Sequence, residues 1–422
     1  MILIVGLLIL FVAAGAPIIA SLGAVGTIDG LRQGLPLTNI AQAMYQGVDS
    51  FTLLAVPLFI LAGEVLFHSG SAARLVNFMN LLVGRVPGGL GVSAVASTMV
   101  FSGLSGSVNA DAAAISAAML PSMTKAGYRK EWSSAIIAAA SGTGILIPPS
   151  ITIIVLATVA NLSVTKLFLA ATLPAILVGV TKMLIIMYRA RSEPAVERVG
   201  FSWGALGKAF VQALPALGAP VIILGGIFLG IFTATESAAV AVAYVTIIAL
   251  LQRSVPNNAW YAILMKAGRT SAIVLSLVGV AQILGYMLAY NEVGVQVADF
   301  AARLTGNKLA FTVFIMLVFW LLGALLDGIP ALILLIPLFL PIAQSAGFSD
   351  IHFSILAIAI VGISLVTPPI GTACFIVTGV ANIKMVRLVR PMMPFMAVMF
   401  ATILLLAFVP AFSEWLPHVL AQ

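Results

Sequence analysis

Apolar residues run through the chain in long stretches, interrupted by short clusters of glycine, proline and charged residues. A bilayer core of about 30 Å calls for helices of roughly 20 mostly apolar residues. The runs supply about ten or more segments of that length. They lack the alternation of barrel strands, and lipid cannot satisfy an open backbone, so the spans are predicted to be helices. The pattern therefore predicts an all-α polytopic membrane protein. The opening stretch, Met1 to Gly26, has no basic region before it and is too long and apolar for a secretory signal. It is read as the first membrane helix.

Composition agrees. Of 422 residues, 62% are hydrophobic and 8% charged, with a mean hydropathy of +1.19; an ordinary soluble chain is about 25% charged. The net charge of +7 comes from Lys and Arg scattered between apolar runs, the mark of cytoplasmic loops and not of a nucleic-acid surface. The single cysteine, Cys374, excludes an intrachain disulfide and a cysteine-based metal motif.

The same landmarks recur at a fixed distance. Leu340-Pro341 stands 220 residues after Leu120-Pro121, and Pro368-Pro369 keeps that spacing from Pro148-Pro149. Gly142 answers to Gly362 and Pro174 to Pro394 in the same register, which predicts two homologous halves. Loop charge indicates how they are oriented. Lys125, Arg129 and Lys130 follow the first landmark, whereas Ser345 to His352 has only Asp350; Asn161 to Lys166 is nearly uncharged, whereas Lys384, Arg387 and Arg390 follow the second half's Pro-Pro pair. The sign flips each time, as inverted repeats require. The expected layout is a first repeat over 1–189, a cytoplasmic linker over 190–202 carrying Arg191 and Arg198, and a second repeat over 203–422 whose C-terminus faces the periplasm.

Inverted repeats in transporters meet at discontinuous helices near the midplane, where freed backbone groups bind substrate and ions. Each half has a Gly- and Pro-containing hairpin, at about 88–121 and 309–343, followed by a helix broken at Pro-Pro, at about 133–160 and 353–381. Proline removes a donor and clashes with the preceding turn, so Gly142 to Ser150 cannot be continuous helix. Its unpaired carbonyls are tolerable at membrane depth only in a protein-lined cavity. Ser107, Thr143, Ser150, Asp327 and Thr372, at hairpin tips and the rims of the breaks, are candidates for hydrogen bonding a substrate. Asp111 and Asp327 are carboxylates in apolar surroundings, where ionisable groups mark function or a structural pair. Glu236 is expected to cap the helix after Thr235.

Gly103-Leu104-Ser105-Gly106 also occurs around the nucleophile of rhomboid-type proteases. A serine nucleophile needs a base in reach, and His68, His352 and His418 fall near helix ends or loops, so an enzyme is not expected. Two offset hairpins with interrupted helices argue for alternating access and against a continuous pore. The chain has no Gly-x-x-x-x-Gly-Lys-Ser/Thr loop for ATP.

Phe101-Ser102-Gly103-Leu104-Ser105-Gly106-Ser107, Gly144 to Ser150, Gly230 to Glu236 and Thr367-Pro368-Pro369-Ile370-Gly371 together resemble the large membrane subunit of TRAP transporters, the tripartite ATP-independent periplasmic carriers. Ala234 departs from an expected proline and Ser364 from an expected glycine. The resemblance implies an elevator-type ion transporter fold. It also implies sodium-coupled import of a small organic acid, such as a C4-dicarboxylate, a sialic acid, a sugar acid or a keto acid, across the bacterial inner membrane. By motif position, Ser102, Ser105, Gly144, Ile147 and Pro149 are implied as one Na+ site, and Gly323, Ser364, Thr367 and Ile370 as its partner in the other half. The implied partners are a small membrane subunit on a separate chain and a periplasmic substrate-binding protein. The alternative is a dicarboxylate/sodium symporter of similar fold that needs no binding protein.

Overall fold

The computed structural model describes residues 6–7, 10–11, 14–190, 202–291 and 308–420, and every regular element among them is helical. The linker expected at 190–202, with Arg191 and Arg198, falls outside the described residues except at its two ends. Met1 to Gly26 is not one continuous helix. The chain turns at Ala14-Gly15, with Gly15 at φ +78°, and extended Pro17 opens α1 at Ile18.

Two groups of helices make up the molecule. In the first, α1 (Ile18–Arg32), α2 (Leu37–Val48), α3 (Ala55–His68) and α4 (Ser71–Val83) pack against three long helices from the middle of the chain: α10 (Trp203–Phe228), α11 (Ala234–Leu251) and α12 (Ala259–Tyr290). The hydroxyl of Thr235 donates to the carbonyl of Phe51 at 3.1 Å, tying the start of α11 to the short 3-10 turn before α3. Thr233 and Glu236 form a capping box at the start of α11: Glu236 Oε2 accepts from the Thr233 backbone N–H at 2.8 Å, and Thr233 Oγ1 accepts from the Glu236 N–H at 3.2 Å. The expected capping role of Glu236 is thus visible, with Thr233 as the capping residue.

The second group holds two helical hairpins and two broken helices. Hairpin one is α5 (Gly89–Ser105) and α6 (Val108–Lys125); the first broken helix is α7 (Lys130–Ser141) and α8 (Ile151–Val159), and α9 (Val164–Ala190) follows. In the second half, α13 (Lys308–Leu326) and α14 (Gly328–Ser345) form the other hairpin. They are followed by the broken pair α15 (Asp350–Ser364) and α16 (Thr372–Ala381), then α17 (Met385–Phe408) and α18 (Ala411–Leu420). Elements recur at the landmark spacing: α6 and α14 begin and end 220 residues apart, and cis peptides join both Pro148-Pro149 and Pro368-Pro369. Each hairpin's second limb packs on the far piece of the other half's broken helix, α6 on α16 and α14 on α8.

The hairpins turn where the sequence permits it. Gly106, at φ +57°, ends α5 in the left-handed region, and Ser107 caps α6 by accepting from the Ala110 N–H at 3.4 Å. At the second tip Asp327 holds φ +69°, ψ 168°, a conformation nearly exclusive to glycine, at a cost of roughly 1–3 kcal/mol. Its carboxylate accepts from the Gly328 N–H at 2.8 Å.

Among the described residues, 8 helices are long and apolar enough to cross a membrane. The remaining apolar runs form shorter helices, because glycine and proline divide them into hairpin limbs and half-helices. Large apolar side chains stay exposed along the long helices, with Val221 70% and Leu229 76% accessible, as a lipid-facing surface requires.

Candidate functional site

The two broken helices meet at a pair of glycines. A Cβ on Gly142 would stand 2.7 Å from the carbonyl oxygen of Gly362, and one on Gly362 would stand 2.6 Å from that of Gly142. No other residue fits at either position without displacing backbone. This contact sets the two breaks side by side.

Around the first break lies a cluster of buried oxygens. The hydroxyls of Ser102 and Ser105, one turn apart near the end of α5, both donate to the Asp111 carboxylate in the first turn of α6. All three side chains are buried. The Thr98 carbonyl, 2.7 Å from Ser102 Oγ, is a second acceptor within reach of its one hydroxyl proton, and Ser105 accepts from the Ser107 N–H at 3.2 Å. Gly144 closes the cluster, because a Cβ there would collide with Asp111 Oδ2 and lie 2.8 Å from Ser102 Oγ. The Pro148 carbonyl faces Gly103, 3.1 Å from where a Cβ would sit. Hydroxyl, carboxylate and carbonyl oxygens are the hard donors that alkali and alkaline-earth cations take. Among the described residues no group of three or more His, Cys, Asp and Glu side chains converges, so the donor set differs from that of a transition-metal site.

The second break is built differently. Ser364 presses its hydroxyl against the Cα of Gly323, where a Cβ would collide with it, and donates to the Val361 carbonyl at 2.6 Å. Thr367 donates to the Ile363 carbonyl at 2.8 Å and accepts from the Trp320 indole N–H at 3.0 Å. Ile370 donates its backbone N–H to the Thr367 carbonyl at 3.2 Å and has an exposed side chain. At the fixed spacing, Ser102, Ser105 and Asp111 correspond to Leu322, Leu325 and Ala331, whereas Gly144 corresponds to Ser364. The first half thus makes room with a glycine for a carboxylate, and the second replaces both with one serine hydroxyl.

The residues expected from the sequence fall in distinct places. Ile147 and Pro149 lie within the first break, Ile147 beside Gly103 and Pro149 at the cis bond. The Thr143 hydroxyl accepts from Lys182 Nζ at 2.5 Å. Ser150 donates back to the Ile145 carbonyl at 2.8 Å, holding the break closed on itself. Thr372 donates to Asn109 Oδ1 at 2.8 Å, joining the second broken helix to the first hairpin. Asp327 sits exposed at the second hairpin tip. Of these candidates, Ser105 and Ser107 line a cavity of about 330 Å³ between the first hairpin and helices α3 and α12, with Asn109 beside them and Glu64, Phe67 and Lys266 opposite.

Sequence reasoning missed Lys182, Asn109, Glu64 and Lys266. Lys182 is fully buried in mid-α9 and donates to the Ala139 carbonyl at 2.6 Å as well as to Thr143. Its signal was present, since a lysine inside an apolar 27-residue helix is an ionisable group at membrane depth. Asn109 could have been found as the polar residue between Ser107 and Asp111. Nothing local distinguishes Lys266, which the fold brings to the cavity from far along the chain.

A family model described as the DctM component of the tripartite ATP-independent periplasmic transporter matches residues 5–412. The chain belongs to that family. It is 34% identical to the isethionate TRAP transporter permease protein DctMQ of Oleidesulfovibrio alaskensis over 96% of its own length, and spans 64% of that relative. It is 33% identical to the 2,3-diketo-L-gulonate TRAP transporter large permease protein YiaN of Escherichia coli, over 88% of each chain. Among solved structures, the YdaH transporter of Alcanivorax borkumensis superposes with a TM-score of 0.65 at 16% identity, over 91% of this chain and 89% of that one; this likeness concerns the fold. The chain is therefore a multi-pass permease component of a TRAP transporter and not an enzyme.

Proposed function

We infer that this TRAP permease imports a small organic acid across the bacterial inner membrane, coupled to sodium, by an elevator motion of the hairpin group against the α1–α4 and α10–α12 group. The observation that carries the reading is the oxygen cluster of Ser102, Ser105 and Asp111 at a helix break, closed by Gly144. Ser102, Ser105, Gly144, Ile147 and Pro149 would hold one cation, and Gly323, Ser364, Thr367 and Ile370 a second. A bound cation would neutralise the buried carboxylate and brace the hairpin against the break, which ties the shape of the substrate cavity to the ion gradient.

Several features support this motion. The hairpins and broken helices recur at one spacing, loop charges alternate as inversion requires, and the cavity lies between the two helix groups. An anion suits that cavity. The start of α6 opens onto it at Ser107 and Asn109, and a helix N-terminus presents free N–H groups and positive dipole. The relatives are named for a sulfonate and a sugar acid, both anions. A small membrane subunit and a periplasmic binding protein complete the tripartite assembly in this reading.

The test is uptake of radiolabelled organic acids into proteoliposomes holding the permease with its small subunit, with and without the binding protein and an inward sodium gradient. Uptake that needs both supports the reading. Uptake indifferent to the binding protein points to a binding-protein-independent symporter, and uptake equal without sodium removes the cation sites.

A further inference from the structure

The cavity has one charged wall. On α3, Glu64 Oε1 pairs with Lys266 Nζ of α12 at 2.9 Å, and the same ammonium lies 5.3 Å from the centre of the Phe67 ring. The two partners are unequally placed: the Lys266 side chain is 57% exposed and that of Glu64 15%. The pair is also incomplete. Glu64 Oε2 is buried without a hydrogen-bond partner, with His68 Nδ1 3.8 Å away. An ion pair serving only to join two membrane helices gains most when both groups are fully bonded, since a half-satisfied buried charge carries its desolvation cost uncompensated. Here the carboxylate is sunk into the wall while the ammonium is left facing the cavity with N–H groups to spare.

Across the cavity stand Ser107 and Asn109 at the start of the 18-residue helix α6. Asn109 Oδ1 is taken by the Thr372 hydroxyl, so its amide nitrogen is the group left to donate. Both walls thus offer hydrogen-bond donors to a cavity of about 330 Å³, near the small end of the range of roughly 300–1,000 Å³ typical of ligand pockets.

We propose that Lys266 anchors the acidic headgroup of the transported molecule, and that Glu64 and Phe67 hold the lysine in place and temper its affinity so that the acid can leave. The inference rests on the organic-acid reading above. The ligand it fits is a small molecule with one carboxylate or sulfonate turned toward α12 and hydrogen-bonding groups turned toward Ser107 and Asn109. Glu64 competes with the ligand for the same ammonium, which makes the two partners opposite in effect.

That opposition gives the test. Isethionate, succinate and 2,3-diketo-L-gulonate are the probes, measured as uptake by the reconstituted permease complex with binding protein, alongside thermal unfolding of each purified variant. Lys266→Gln is expected to raise KM for the transported probe at least tenfold while Lys266→Arg largely restores it, and Glu64→Gln is expected to lower KM. A merely structural pair behaves otherwise: both glutamine variants lose thermal stability together and leave KM unchanged, which overturns the proposal. No uptake of any probe by the unaltered complex would overturn the organic-acid reading and this inference with it. Uptake by the unaltered complex that Lys266→Gln leaves untouched would overturn this inference alone.

Discussion

Asp111 and Lys182 are buried ionisable side chains at the first break, carried on different helices. Asp111 reaches Gly144, and Lys182 bonds to the neighbouring Thr143. Among the described residues no ion pair joins them to anything. Asp111→Asn keeps the shape but removes the charge, and it is expected to raise the sodium concentration for half-maximal uptake at least about tenfold, roughly 1.4 kcal/mol of cation affinity. A sodium titration of uptake checks this; an unchanged half-point would exclude Asp111 from the cation site. Lys182 does different work. It caps the end of α7 through the Ala139 carbonyl, where a helix terminus carries negative dipole. Lys182→Met leaves that carbonyl and the Thr143 hydroxyl buried without a donor, at about 1–3 kcal/mol each, and the expected readout is a lowered unfolding temperature in detergent. At this scale the sequence displayed its hydroxyls and carboxylates well, because polar residues stand out in apolar runs. It hid the partnerships: nothing in the spacing of Asn109 and Thr372 announces that they bond across 263 positions.

The half-helices and hairpins were legible because their causes are local. Proline pairs and glycine clusters break a helix wherever they fall, and the expected hairpin at about 88–121 and break at about 133–160 enclose the observed turn at Gly106-Ser107 and gap between Ser141 and Ile151. The second half reads the same way, with its turn at Asp327. The opening segment was misjudged because one Ala-Gly turn interrupts an otherwise unbroken apolar run. What the pattern could not give is how two breaks meet. The Gly142–Gly362 contact predicts that Gly142→Ala and Gly362→Ala each impair folding, since each Cβ lands within 2.7 Å of the opposite carbonyl. The double variant should cost less than the sum of the two, because substitutions across one contact relieve the same backbone displacement. Purification yield and thermal midpoint of the three variants measure this directly, and strict additivity would mean that the breaks do not bear on each other.

For the molecule as a whole, the question is whether the two helix groups move as bodies. Phe67 of α3 and Ala110 of α6 line opposite sides of the cavity, whereas Phe51 and Thr235 belong to one group and are hydrogen bonded. Cysteines at Phe67 and Ala110, bridged by a bifunctional reagent, are expected to stop uptake; the same bridge between positions 51 and 235 is expected to spare it. Uptake surviving the first bridge would rule out sliding at this interface.

The second break also carries its own light source. The indole N–H of Trp320 donates to the very hydroxyl, Thr367 Oγ1, that a cation in the second half would recruit. Indole emission depends on what its N–H meets, so ion arrival there should shift the fluorescence of the unlabelled protein, and Trp320→Phe should abolish the shift. Of the 5 tryptophans, this one is placed to let each half of the permease be read apart: Asp111 through uptake, and Thr367 through colour.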